Sequence, residues 1–139
     1  MSFVLDSSVA TKWFLPDEKS PAADAVLDRL CAGESAYAPT LLRWELTNAL
    51  LIAERASRLS ASDVDDALDA VRNLHILLES GGNRLSAGSE VSIARAYGLT
   101  SYDGAYLALA AHLGIELVTA DGPLDRAGRH LGLQTTFVA

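Results

Sequence analysis

Ile115-Glu116-Leu117-Val118-Thr119-Ala120-Asp121 is the stretch whose reading decides the fold. Gly114 precedes it and Gly122-Pro123 follows it, so the apolar run is cut off well short of a useful helix. A short apolar run between such breakers reads as a strand, here Ile115 to Thr119, buried on both faces. It ends on an acid. The chain opens in the same way, with Phe3-Val4-Leu5 leading into Asp6.

Between these strands the pattern alternates. Ser7 or Ser8 starts a short helix through Phe14, stopped by Pro16-Asp17. Ser20-Pro21 is an N-cap and first-turn pair for a helix carrying Val26, Leu27 and Leu30, which Gly33 terminates. Ala36-Tyr37-Ala38 reads as a second strand, after which Pro39-Thr40 opens a helix to about Ala56. Ser60 and Ser62 precede a helix with Val64, Ala67, Leu68 and Val71 inside, and its acids Asp63, Asp65, Asp66 and Asp69 read as a solvated face. His75 to Leu78 is a possible third strand, and Gly81-Gly82 a loop. Ser86 to Tyr97 is helical to the stop at Gly98, and Ser101 caps a helix over Tyr102–Leu113. Leu124 to Leu131 is a short helix and Gln134 to Val138 a last strand. Strands alternating with helices predict an α/β fold, a mainly parallel sheet covered on both sides. Ligand sites in such sheets lie beyond the carboxyl ends of the strands.

The chain has 139 residues, enough for one domain over 1–139, and half of them are hydrophobic (50%). No apolar stretch suits a membrane span or a secretory signal, and Cys31 is the lone cysteine, which excludes an internal disulfide and a Cys-based zinc cage. A cytoplasmic location is expected. The formal net charge of −7 opposes broad electrostatic binding to nucleic acid, though not a nuclease whose acids gather around a cation.

Asp6, Glu45, Asp103 and Asp121 sit on or beside apolar segments, with no Lys or Arg three or four positions away. Buried carboxylates are costly unless something cationic compensates them, so a bound metal is the economical expectation. Ordinary uses compete residue by residue: Asp6 as a helix cap, Asp103 as a complement to a helix dipole, Asp121 as a turn residue. Glu45, beside Leu41, Leu42 and Ala49, has no routine helical use. An all-oxygen site without a His or Cys cluster suits Mg²⁺ or Mn²⁺. Asp6 and Asp103 are then the principal ligands, Asp121 completes the shell directly or through water, and Glu45 holds a water or a second ion. Helix N-termini near Asp6 and Asp103 are expected to help keep these acids ionised.

The motifs Val4-Leu5-Asp6-Ser7-Ser8-Val9, Arg43-Trp44-Glu45-Leu46-Thr47-Asn48-Ala49-Leu50, Thr100 to Ala110 around Tyr102-Asp103, and Leu117-Val118-Thr119-Ala120-Asp121 occur in that order. Together they resemble PIN-domain ribonucleases, specifically the toxin subunits of VapBC toxin–antitoxin modules. The resemblance spans the chain from Phe3 to the last strand. It implies a three-layer α/β/α domain whose acidic pocket is formed by Asp6, Glu45, Asp103 and Asp121. Ser8 and Thr119 match the hydroxyl positions that orient it. It further implies a Mg²⁺- or Mn²⁺-dependent endoribonuclease leaving a 5′-phosphate and a 3′-hydroxyl. Such proteins are usually dimeric and held inactive by a cognate VapB-type antitoxin. Gly104 stands where the family usually has a small residue such as Ala, and Gly122-Pro123 leaves Asp125 outside the core set.

Other readings have less support. His75, His112 and His130 have no ligand spacing, and neither a Gly-x-Ser-x-Gly elbow nor a phosphate loop occurs. Lys12, Trp13, Arg43 and Trp44 are possible RNA or antitoxin contacts, with core or dimer packing the competing reading for both Trp residues and the favoured one for Trp13; no aromatic platform for RNA can be located. A phospho-acceptor signalling module of receiver type would need paired acids after the first strand and a late Lys, whereas Ser7-Ser8 follows Asp6 and no Lys follows Lys19. A PIN-like domain that binds RNA or protein without cutting is the remaining alternative.

Overall fold

In the computed structural model, residues 1–80 and 88–139 are described. The elements are β1 (Ser2–Leu5), α1 (Ser7–Phe14), a 3-10 turn (Pro16–Glu18), α2 (Pro21–Cys31), β2 (Ser35–Pro39), α3 (Leu41–Arg55), α4 (Ala61–Arg72), β3 (Ile76–Glu79), α5 (Ser89–Tyr97), α6 (Ser101–Leu113), β4 (Glu116–Thr119), α7 (Gly122–His130) and β5 (Thr135–Phe137). The expected loop at Gly81-Gly82 and the helix start at Ser86 lie outside the described residues.

The strands pair in the order β3-β2-β1-β4-β5, and every pairing is parallel. From β1 to β2 to β3 the chain steps one way across the sheet; from β3 to β4 to β5 it steps the other way. Right-handed crossovers therefore lay α1–α4 on one face and α5–α7 on the other. The packing agrees, since α1 meets α2 and α3, α3 meets α4, and α6 meets α5 and α7. The result is the expected α/β/α sandwich around a parallel sheet. Its centre is dry: Phe3, Val4, Leu5, Leu117 and Val118 are all fully buried, as residues of central parallel strands must be.

Local signals explain most boundaries. Ser20 Oγ accepts from Ala23 N at 3.0 Å, with Pro21 in the first turn. Ser60 and Asp63 form a reciprocal capping box at the start of α4, whose other acids are exposed as expected. Trp13 is buried and its Nε1 donates to Ala23 O at 2.8 Å, locking α1 onto α2. At the amino end of the sheet Arg29 bridges Glu34 (2.9 Å) and Glu116 (2.8 Å) and lies over the Phe3 ring.

Several expectations need correction. The N-cap of α6 is Thr100 rather than Ser101, because the Thr100 hydroxyl is the one that accepts from Asp103 N, at 3.1 Å. Pro39 ends β2 instead of opening α3; a strand end tolerates its missing N–H. Asp121 caps α7, which starts at Gly122, two residues earlier than the apolar pattern suggested. Trp44 is not core: it is 63% exposed. The sheet is also less covered than expected at one edge, where Leu77 and Leu78 of β3 are exposed. Gly104 is the reverse case, since a Cβ there would stand 2.7 Å from Glu90 O and 3.0 Å from Ala94 Cβ. Glycine is needed to let α6 lie against α5.

Candidate functional site

Asp6 and Asp121 leave adjacent parallel strands at the same end, and Asp6 N extends the β1–β4 ladder by donating to Val118 O at 3.0 Å. Asp6 occupies the N-cap position of α1 but makes no capping bond. Its Oδ2 instead accepts from Ser8 Oγ (2.6 Å) and Thr119 Oγ1 (2.7 Å). Both hydroxyls are relays. Ser8 Oγ accepts from Ala120 N at 2.9 Å, and Thr119 Oγ1 from Asp121 N at 3.0 Å. Ser8 and Thr119 thereby tie the end of β4 to the Asp6 carboxylate.

Glu45, just inside α3, is held by residues that the sequence pattern did not single out. Its Oε1 accepts from Tyr106 Oη at 2.7 Å and from Ser7 Oγ at 3.1 Å. Tyr106 belongs to the opposite helical layer, so the two layers meet beyond the carboxyl end of the sheet. One signal was available: Tyr106 lies three positions after Asp103, on the same side of α6. Asp121 caps its own helix, with Oδ2 accepting from Leu124 N at 2.9 Å. Asp6, Glu45 and Asp121 are therefore each anchored through one oxygen, and the other makes no hydrogen bond among the described residues.

The electrostatics tie the fourth acid to the group. Burial pushes the Asp6 carboxyl above its ordinary range, against the Ser8 and Thr119 hydrogen bonds, and the charges of Glu45 and Asp121 push it further. Asp103, half-buried, is raised chiefly by burial, then by Asp121 and Asp6. Both acids are thus raised, contrary to expectation, with burial the largest cause. The Tyr106 hydroxyl is likewise pushed up, by burial and by its bond to Glu45.

No internal cation answers these acids among the described residues. Arg29, Arg58, Arg72 and Arg129 form the ion pairs there, with Glu34 and Glu116, Asp17 and Glu18, Asp69, and Asp125 respectively. Asp125 is thereby engaged by Arg129. Arg126, another residue the sequence did not flag, reaches back over Gly122, where a Cβ would stand 3.2 Å from its Nη1.

An all-carboxylate set with free oxygens fits a hard, oxygen-seeking cation. No group of three such side chains among the described residues forms a ready metal cage. The fit is to an ion that keeps several of its waters and takes few protein oxygens, as Mg²⁺ does.

The match to the PIN domain runs over residues 3–130. The chain belongs to the PIN domain family. Ribonuclease VapC3 of Pyrobaculum aerophilum is 25% identical to it over 124 residues, covering 89% of this chain and 92% of that protein. Among solved structures, VapBC2 from Rickettsia felis, bound to a DNA fragment from their promoter, is similar with a TM-score of 0.64 at 14% identity, covering 99% of this chain and 98% of that one. FitAcB from Neisseria gonorrhoeae gives 0.65 at 17% identity, covering 96% of each chain. These structural likenesses show a shared fold. Membership of the PIN domain family sets aside the receiver-type alternative. No helix among the described residues is long and apolar enough to cross a membrane.

Proposed function

We propose that this PIN domain is a Mg²⁺- or Mn²⁺-dependent endoribonuclease and the toxin component of a type II toxin–antitoxin system. The observation that carries the reading is the mutual repulsion of the acids at the carboxyl end of the sheet: the charges of Glu45 and Asp121 bear on Asp6 and those of Asp121 and Asp6 on Asp103, three of the four are each anchored through one oxygen, and no cation of the described residues pairs with any of them. A divalent ion bound there supplies an acidified water and neutralises charge on the attacked phosphate. Asp6 and Asp103 would hold it, with Asp121 reaching it directly or through one of its waters. Glu45, aimed by Tyr106 and Ser7, orients the attacking water and takes up its proton, and Ser8 and Thr119 keep Asp6 turned into the cleft. In-line attack of the water oxygen at phosphorus would break the P–O3′ bond, leaving a 5′-phosphate and, once the departing oxygen takes a proton from solvent, a 3′-hydroxyl. One domain, residues 1–139, carries all of this.

The similarity to Ribonuclease VapC3 supports the toxin reading, and the named VapBC and FitAcB structures support a VapB-type antitoxin as partner. A homodimer acting on RNA in the cytoplasm completes the proposal. The test is purified protein, free of antitoxin, incubated with structured RNA and Mg²⁺ or Mn²⁺. Cleavage should occur, should stop with EDTA, and should be lost in Asp6→Asn and Asp103→Asn. Metal-independent cleavage, or cleavage that survives both substitutions, would refute it; RNA binding without any cleavage would favour the non-catalytic alternative.

A further inference from the structure

Tyr102 is 58% exposed and stands immediately before Asp103. Leaving a large aromatic ring in water has no structural benefit here, and its hydroxyl makes no hydrogen bond among the described residues. Its direction is set by the helix. Tyr102 and Tyr106 are one turn apart on the same face of α6, and Tyr106 reaches Glu45 at 2.7 Å. Helical spacing thus places Tyr102 one turn before Tyr106 on the side of α6 that meets Glu45, and next in the chain to Asp103. Trp44, as exposed and adjacent to Glu45, is a poorer candidate because the Arg43 guanidinium already lies over its ring at 5.0 Å.

We infer that Tyr102 is a stacking platform for the base next to the scissile phosphodiester. The inference rests on the endoribonuclease reading. A cleft lined with carboxylates repels the RNA backbone, so an uncharged contact has to hold the nucleotide while the phosphate meets the metal site. Every base offers a π face, but only an unpaired, unstacked one can present it to a protein ring. A paired base, covered by its neighbours, cannot. The contact therefore reads the presence of an accessible base next to the cut and little of its identity.

The test uses the full chain and a short single-stranded RNA whose cut site is mapped first, alongside the same RNA made abasic on either side of the cut. Tyr102→Ala should raise KM roughly tenfold on the intact RNA, with kcat changed by less than about twofold. Tyr102→Phe should behave as wild type. On the abasic RNA the wild type should fall to the level of Tyr102→Ala, erasing the difference. Equal KM values for wild type and Tyr102→Ala on intact RNA would overturn the inference. So would a loss that persists on abasic RNA, which would assign Tyr102 to packing or to a protein contact. If the wild type cuts no RNA with either metal, the endoribonuclease reading fails by itself. Affinity in EDTA for a short single-stranded RNA and for a fully abasic strand of the same length then decides the platform: tighter binding of the intact strand that is lost in Tyr102→Ala supports it, and equal affinities of the two proteins overturn it.

Discussion

The Thr119 hydroxyl donates to Asp6 Oδ2 at 2.7 Å, joining side chains 113 positions apart in the chain. The same oxygen of Thr119 accepts from Asp121 N at 3.0 Å, so one buried hydroxyl sets the positions of two site acids. Removing it leaves a backbone N–H without its acceptor and a carboxylate without its guide.

Thr119→Val keeps the shape and deletes the hydroxyl. It should lower cleavage roughly 10–100-fold, the range typical when a group supporting a metal ligand is lost. Thr119→Ser should retain most activity. Steady-state kinetics on one mapped RNA would check both, and a Val variant as active as wild type would show that the relay is dispensable.

Asp6→Asn should separate stability from activity. Burial raises the folded-state pKa of Asp6 above the ordinary value of 3.8, and that of Asp103 similarly. A carboxyl raised on folding contributes stability that is fully present below its unfolded pKa and is lost as pH rises through its folded pKa. Metal-free wild type should therefore lose stability relative to Asp6→Asn as pH climbs above the ordinary carboxylate range. At neutral pH the variant should melt higher by a few degrees while cutting RNA at least about a hundredfold more slowly. Thermal unfolding of both proteins from acid to neutral pH, in EDTA, is the measurement. Parallel curves would refute it.

The strands, the Ser20 and Ser60 caps and the stops at Gly98 and Gly114 were legible because each depends on local pattern: short apolar runs, Ser20-Pro21, and glycine at a helix end. What holds Glu45 was not legible. Its partners Ser7 and Tyr106 come from helices on opposite faces of the sheet, and their meeting depends on how the two layers are packed. The exposure of Trp44 was missed for a related reason. Composition favours burying a Trp, but on α3 the buried positions Leu42, Leu46, Leu50 and Ala53 take the inner face and turn Trp44 outward. The Thr100 cap differs from the expected Ser101 by a single residue, a choice decided only by which hydroxyl reaches Asp103 N.

Tyr106→Phe tests the contact between the two layers directly. Glu45 keeps Ser7 but loses the 2.7 Å bond, so its carboxylate should wander. The expected result is a roughly tenfold lower kcat with KM little changed. A change confined to KM would place Tyr106 in substrate binding instead.

Gly104→Ala should destabilise the fold although Ala is the better helix former by about 1 kcal/mol. The new methyl would stand 2.7 Å from the Glu90 carbonyl oxygen, a backbone atom that cannot swing away. Overpacking of this kind costs roughly 1–3 kcal/mol, so the steric effect should win. Urea unfolding would show a lower midpoint; a raised midpoint would mean that α5 can move.

Calorimetric titration of Mn²⁺ into purified protein at neutral pH, comparing wild type with Asp6→Asn, Asp103→Asn and Asp121→Asn, tests most directly whether the clustered acids hold a divalent ion. The account predicts saturable binding to wild type and a weakening of at least about tenfold in each variant. Binding that is unchanged in all three variants, or absent from wild type, would contradict it.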